Sequence, residues 1–124
     1  MTTEITTNLE QTKTLLNCIN EALLEKKAEN ILQLEVRAIS SITDYFIICH
    51  AGSDTQVKAL ASNVVQKVNE DLEERPVRRE GMNTRRWVTI DYGNIIVHIF
   101  LAELRKYYQL EKMWSDAVIT EITE

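Results

Sequence analysis

The chain has little of what breaks, staples or anchors a fold. One proline and three glycines in 124 residues leave no room for a Pro/Gly-rich linker or a low-complexity tract, and no internal repeat divides the chain. Only two cysteines are present. Cys18 and Cys49 lie far apart, each inside an apolar pattern, and read as buried thiols of a reducing compartment, not as a disulfide. No apolar run approaches the roughly 20 residues of a membrane-spanning helix. No basic residue precedes Lys13. The N-terminus therefore carries neither a secretory signal nor an Arg-rich transit peptide, and a cytoplasmic location is expected. Positive charge is also in deficit. A net charge of −5 argues against non-specific nucleic-acid binding and suits a basic protein partner.

What remains is ordinary globular material, 44% hydrophobic and 27% charged. A chain of this length buries about two thirds of its unfolded surface. The expected layout is a flexible N-terminus over 1–10, a single domain over 11–117 and a C-terminal tail over 118–124. Thr7 and Glu10 fit a capping box that starts a helix near Asn8. Leu9, Leu15, Leu16, Ile19, Ala22 and Leu23 form its apolar stripe, Lys26 lies along the edge, and Asn30 is placed to end it. Residues 31–37 alternate as a strand with one wet face, and 38–43 read equally as a bend or a hairpin loop. Tyr45–Cys49 is a short unbroken apolar run, suited to a central strand covered on both sides. Ser53 and Gln56 make a second capping box before the stripe Val57, Leu60, Ala61, Val64, Val68 and Leu72, and Pro76 ends that helix. Residues 77–80 read as a short strand that meanders through the Gly81 turn, and 101–109 as a short third helix. The order predicts an α/β sandwich, a mixed β-sheet packed with helices.

Residues 86–100 carry the most information. Trp87, Thr89 and Asp91 alternate with Val88 and Ile90, and a β-branched strand returns over 95–100 after a Tyr92-Gly93 turn. That turn pairs Trp87 with His98. Because cross-strand partners share a face, Val88, Ile90, Ile95, Val97 and Ile99 look into the core. Trp87, Thr89, Ile96, His98 and Phe100 make a second apolar surface that something must cover. A second helix layer, or the C-terminal segment with Trp114, is the plain explanation. Its mixture of aromatic anchors and polar neighbours suits a protein-binding patch better than a core.

Other constellations carry less. His50 beside Cys49 on a strand points the opposite way, and neither His98 nor Cys18 completes a metal-ligand spacing, so no metal or cofactor is expected. Gly52-Ser53 between a strand and a helix resembles the Gly-Ser signature of nucleotidyltransferases. That chemistry needs paired carboxylates on a nearby strand, and no Asp-x-Asp or Asp-x-Glu follows. Arg78, Arg79, Arg85 and Arg86 flank the Gly81 turn. They are candidate contacts to RNA phosphates, or equally a charged sheet edge that resists pairing.

Four motifs together resemble the ribosomal silencing factor (Iojap-like) family: Asp44–Cys49, Gly52–Ala59, Arg86–Phe100 and Tyr108–Trp114. The resemblance runs from about Leu15 to Ala117, with Asn94 where the family often has Asp. It implies a fold similar to the nucleotidyltransferase core without its catalytic carboxylates, and hence no enzyme. It implies binding to ribosomal protein number fourteen on the inter-subunit face of the large ribosomal subunit. That binding sterically blocks the small subunit and represses translation in starvation or stationary phase. Related proteins assist large-subunit maturation in mitochondria and chloroplasts, which makes ribosome biogenesis the alternative role. By resemblance, Trp87, Asp91, Tyr92 and His98 fall in the family's most characteristic motif, with Thr89 and Ile96 beside them. The expected roles are Trp87 as apolar anchor, Asp91 as acceptor for a basic partner residue, and Tyr92 and His98 as flanks. A nucleotidyltransferase-like enzyme and a homodimer that covers its own Trp87 surface are the competing readings.

Overall fold

Tyr45–Cys49 can only be satisfied in the middle of a sheet, and the rest of the chain is arranged to put it there. The computed structural model describes residues 2–123, with side chains from Leu9 onward. Its elements are α1 (Thr2–Glu25), β1 (Glu29–Glu35), β2 (Tyr45–Ala51), α2 (Asp54–Leu72), β3 (Arg78–Glu80), β4 (Trp87–Asp91), β5 (Ile95–Leu101), α3 (Ala102–Tyr108), α4 (Leu110–Met113) and β6 (Val118–Ile122). The six strands form one mixed sheet in the order β3-β4-β5-β2-β1-β6. β2 and β5 run parallel at its centre, and every other neighbour is antiparallel. This is an α+β fold.

The sheet separates two apolar layers. On one side Tyr45, Ile47, Cys49, Val88, Ile90, Ile95, Val97 and Ile99 meet the stripes of α1 and α2. Both stripes are the expected ones: Leu15, Leu16, Ile19, Ala22 and Leu23 are buried from α1, and Val57, Leu60, Ala61, Val64 and Val68 from α2. Each large side chain buried in this way contributes about 1.5–3 kcal/mol relative to exposure. On the other side Leu34, Val36, Phe46, Ile48 and Phe100 meet Leu104, Leu110, Trp114 and Ala117 of the C-terminal segment.

Several boundaries differ from expectation. α1 begins at Thr2, so Thr7 lies inside the helix and not at its cap. It ends before Asn30. Lys27 takes the left-handed conformation (φ 60°), and the N–H groups of Lys27 and Ala28 donate to the carbonyls of Leu24 and Leu23. This is a Schellman cap with lysine where glycine is usual. Asn30, also left-handed at φ 50°, sits within β1. Residues 38–43 belong to the hairpin loop joining antiparallel β1 and β2. The wet face expected on β1 is partly covered, because Asn20 of α1 donates to Gln33 at 3.0 Å. Ser53 caps α2, accepting from the Gln56 N–H at 3.2 Å, while Glu73 closes it in the left-handed conformation three residues before Pro76. β6 adds a sixth strand along β1.

Candidate partner-binding surface

The β4–β5 hairpin turns at Gly93-Asn94, one residue later than the sequence pattern places it. Gly93 takes φ 90°, and the Tyr92 N–H donates to the Ile95 carbonyl at 2.9 Å. The pairs are Trp87 with Phe100, Thr89 with His98, and Asp91 with Ile96. Register therefore moves by two residues. An even shift keeps every side chain on its face, so the division into a helix-covered face and a Trp87 face stands. Tyr92 is the exception. It continues the parity of Val88 and Ile90, is 6% exposed, and packs into the helix-side core. Burial pushes its phenol up, away from ionisation.

On the Trp87 face the rings are locked to one another. The Trp87 indole stacks on Phe100 with centroids 4.8 Å apart and lies 5.0 Å from Tyr108. Its Nε1–H donates to Nδ1 of His98 at 3.1 Å. That bond makes Nδ1 the acceptor and leaves the ring proton on Nε2. Phe46 meets His98 edge-on at 5.2 Å and Trp114 at 5.2 Å. His98 is 8% exposed, and desolvation lowers its pKa to about 4. It is a neutral, buried support for Trp87. The C-terminal segment closes the half of the face over β5, β2 and β1, as the plain reading of the sequence allows.

The other half stays open. Trp87, Thr89, Asp91 and Ile96 are each half-buried and stand on one face, with Arg78 and Glu80 of β3 beside them through the pairs Arg78–Asp91 and Glu80–Thr89. Asp91 Oδ1 accepts from the Gly93 N–H at 2.7 Å, which fixes the carboxylate and the turn together. The arginines do not form one grip. Arg78 shares the Trp87 face, whereas Arg79 pairs with Ile90 and points to the opposite one. Arg85 is a left-handed turn residue at φ 58°. Arg86 is exposed just before β4. Arg78 pairs loosely with Glu80 at 3.8 Å, both exposed, an arrangement of little energetic weight.

Cys18 and Cys49 are free and buried, and desolvation pushes Cys49 up to about 12, so neither is poised as a nucleophile. Among the described residues no group of three or more His, Cys, Asp and Glu is placed to hold a metal ion.

A family model described as "Ribosomal silencing factor during starvation" matches residues 9–124. The chain belongs to the ribosomal silencing factor family. The match runs past Ala117 and takes in β6, beyond the segment in which the motifs themselves resemble the family. The ribosomal silencing factor RsfS of Bacillus subtilis is 39% identical over 110 residues, covering 89% of this chain and 92% of that protein. The factor of Halalkalibacterium halodurans is 42% identical over 108 residues, covering 87% and 92%. A crystal structure of a Chromobacterium violaceum protein superposes with a TM-score of 0.80 at 32% identity, covering 83% of this chain and 85% of that one. This family regulates translation as a non-enzymatic silencing factor.

Two features of this silencing factor were not read from the sequence. Tyr107 and Tyr108 are 79% and 48% exposed and continue the aromatic surface outward from Trp87. The doubled tyrosine was the available signal. Arg105 is 4% exposed, and nothing in a single sequence separates it from a solvated helix arginine.

Proposed function

We propose that this silencing factor binds the large ribosomal subunit at its inter-subunit face, through ribosomal protein number fourteen, and so blocks the small subunit from joining. The observation that carries this reading is the open strip of Trp87, Thr89, Asp91 and Ile96. It lies on a sheet face whose other half the protein closes itself. An indole already held by His98, Phe100 and Tyr108 loses little freedom when a partner covers it. Asp91, oriented by the Gly93 N–H, offers its charge to a basic residue. We assign His98 a positioning role under the strip and place Tyr92 outside it. Arg78 and Arg86, exposed at its margins, suit a peripheral contact to ribosomal RNA. The fold's likeness to the nucleotidyltransferase core is part of the same reading, supported by the Gly52-Ser53 junction between β2 and α2. Repression acts by steric exclusion in starvation or stationary phase, with no chemical step.

Trp87→Ala is expected to weaken co-sedimentation with large subunits by about thirtyfold, the loss of one interface anchor, and to release the block in a subunit-joining assay. Asp91→Asn keeps an acceptor for Gly93 while removing the charge, and is expected to cost severalfold in affinity with the fold intact. A folded Trp87→Ala protein that co-sediments normally overturns the assignment. Tight binding by the unaltered protein without any block to joining would indicate a maturation role instead.

A further inference from the structure

A second site stands apart from this strip, at the carboxyl ends of the only parallel strand pair among the described residues. Open α/β sheets bind ligands at such ends. A cavity of about 380 Å³ opens there, lined by Asn30, His50, Arg105, Lys106, Glu111 and Lys112 among others. Arg105 is fixed in its wall on three sides. Its Nη1 donates to the Asn30 carbonyl and to Nδ1 of His50 at 3.0 Å, and its Nε lies 3.6 Å from Glu111 Oε1. His50 in turn holds Glu29 through Nε2 at 3.2 Å. Two buried atoms in this wall have no hydrogen-bond partner, Nη2 of Arg105 and Oε2 of Glu111. One is an unspent donor on a cation and the other an unspent acceptor on an anion. Groups of this kind are rarely left buried without a partner.

We propose that this cavity binds a phosphate group, free or carried as a monoester. Three cationic side chains, Arg105, Lys106 and Lys112, face one carboxylate, Glu111, in its lining, a local positive excess on a chain of net charge −5. A phosphate oxygen accepts from Arg105 Nη2, the guanidinium–oxyanion pairing that is strongest and most directional. An oxygen that keeps its proton donates to Glu111 Oε2. Inorganic phosphate keeps at least one proton in both forms populated near neutrality, and a monoester, with a second pKa of about 6, keeps one below that pH, whereas sulfate has none to give. Lys106 and Lys112, both exposed, supply the rim. The corner is closed by α4, a single turn that carries Glu111 and Lys112.

The test is a titration of the full chain with inorganic phosphate, followed by the Arg105 Nε–H and His50 ring signals in NMR, with sulfate at matched ionic strength as the control. Saturable shifts at both groups are expected, with sulfate weaker by about tenfold, one charge-assisted hydrogen bond. The double variant Lys106→Ala/Lys112→Ala changes only exposed side chains and is expected to bind phosphate at least severalfold more weakly at unchanged melting temperature. Adenosine monophosphate as a parallel titrant at about pH 6, where about half of a monoester keeps its proton, separates the sources: tighter binding than inorganic phosphate assigns a monoester, and equal or weaker binding assigns the free anion. Shifts that do not saturate, sulfate binding as well as phosphate, or an unaffected double variant would each overturn the proposal and leave a water bridging Arg105 and Glu111.

Discussion

His98 lies beneath the open strip as a neutral ring, and this has a cost that can be read with acid. Its folded pKa is about 4 against an ordinary 6.5. Between those values the unfolded chain takes up a proton that the folded chain refuses. Stability is therefore full above pH 6.5 and falls as pH drops through the window toward 4. The contribution is on the order of 3 kcal/mol when the window is crossed completely. Urea unfolding at pH 7, 6 and 5 is expected to show the fall, and His98→Gln, which keeps an acceptor for Trp87, is expected to flatten it. His50, whose pKa is lowered by burial and then by Arg105, adds a smaller slope of the same sign that the variant leaves in place. An unchanged slope in His98→Gln would show that the ring is not buried neutral. Cover of the His98 face by the C-terminal segment was one of the readings the sequence offered, whereas the burial of Arg105 was not legible, because it depends on how that segment folds back over the sheet.

The β4–β5 hairpin shows what a sequence pattern secures and what it leaves free. Alternation secured the two faces, since period 2 survives any even shift of register. It did not secure the turn, because Tyr92-Gly93 and Gly93-Asn94 both offer glycine a positive φ, and Tyr92 changed sides with that choice. α2 was legible almost to the residue, having a cap, a clean stripe and a stop. The start of α1 was not, since a capping box inside a helix looks the same as one at its end. A sharper constraint lies at Gly81, with φ 85°, where an added Cβ would stand 2.0 Å from the Trp87 carbonyl oxygen. The turn between β3 and β4 thus folds directly against the backbone that carries the anchor. Gly81→Ala combines a left-handed backbone with a backbone clash and is expected to destabilise by about 3 kcal/mol or more. Denaturant titration followed by tryptophan emission measures it, and a stability equal to the parent's would disprove the close approach.

Across the whole molecule the sheet has unequal edges. β3 is three residues long with Arg78 and Glu80 exposed on it, a charged margin that discourages pairing with other chains. β6 covers β1 along five paired residues yet is mostly exposed itself. Short, and with Val118-Ile119 followed by Thr120-Glu121 showing no period-2 alternation, it gave the sequence no stronger signal than a tail gives. Ending the chain at Ala117 removes those pairs and bares the apolar β1 edge. The melting temperature is expected to fall by roughly 5 °C, a loss of one to two kcal/mol for a domain of this size. Sedimentation velocity should then reveal self-association through the open edge. A truncated chain that melts like the parent and stays monomeric would reduce β6 to an ornament.

The placement of β6 also sets a timetable. β1 is made well before its outer neighbour, which comes from residues 118–122, and its inner neighbour β2 waits for β5, fifty residues further along, to complete the parallel pair. Pairings this distant in sequence form late. A nascent copy therefore carries an open β1 edge until residues 118–122 have been made and can pair with it. Everything between β1 and β6 is made while that edge of the sheet stands unpaired.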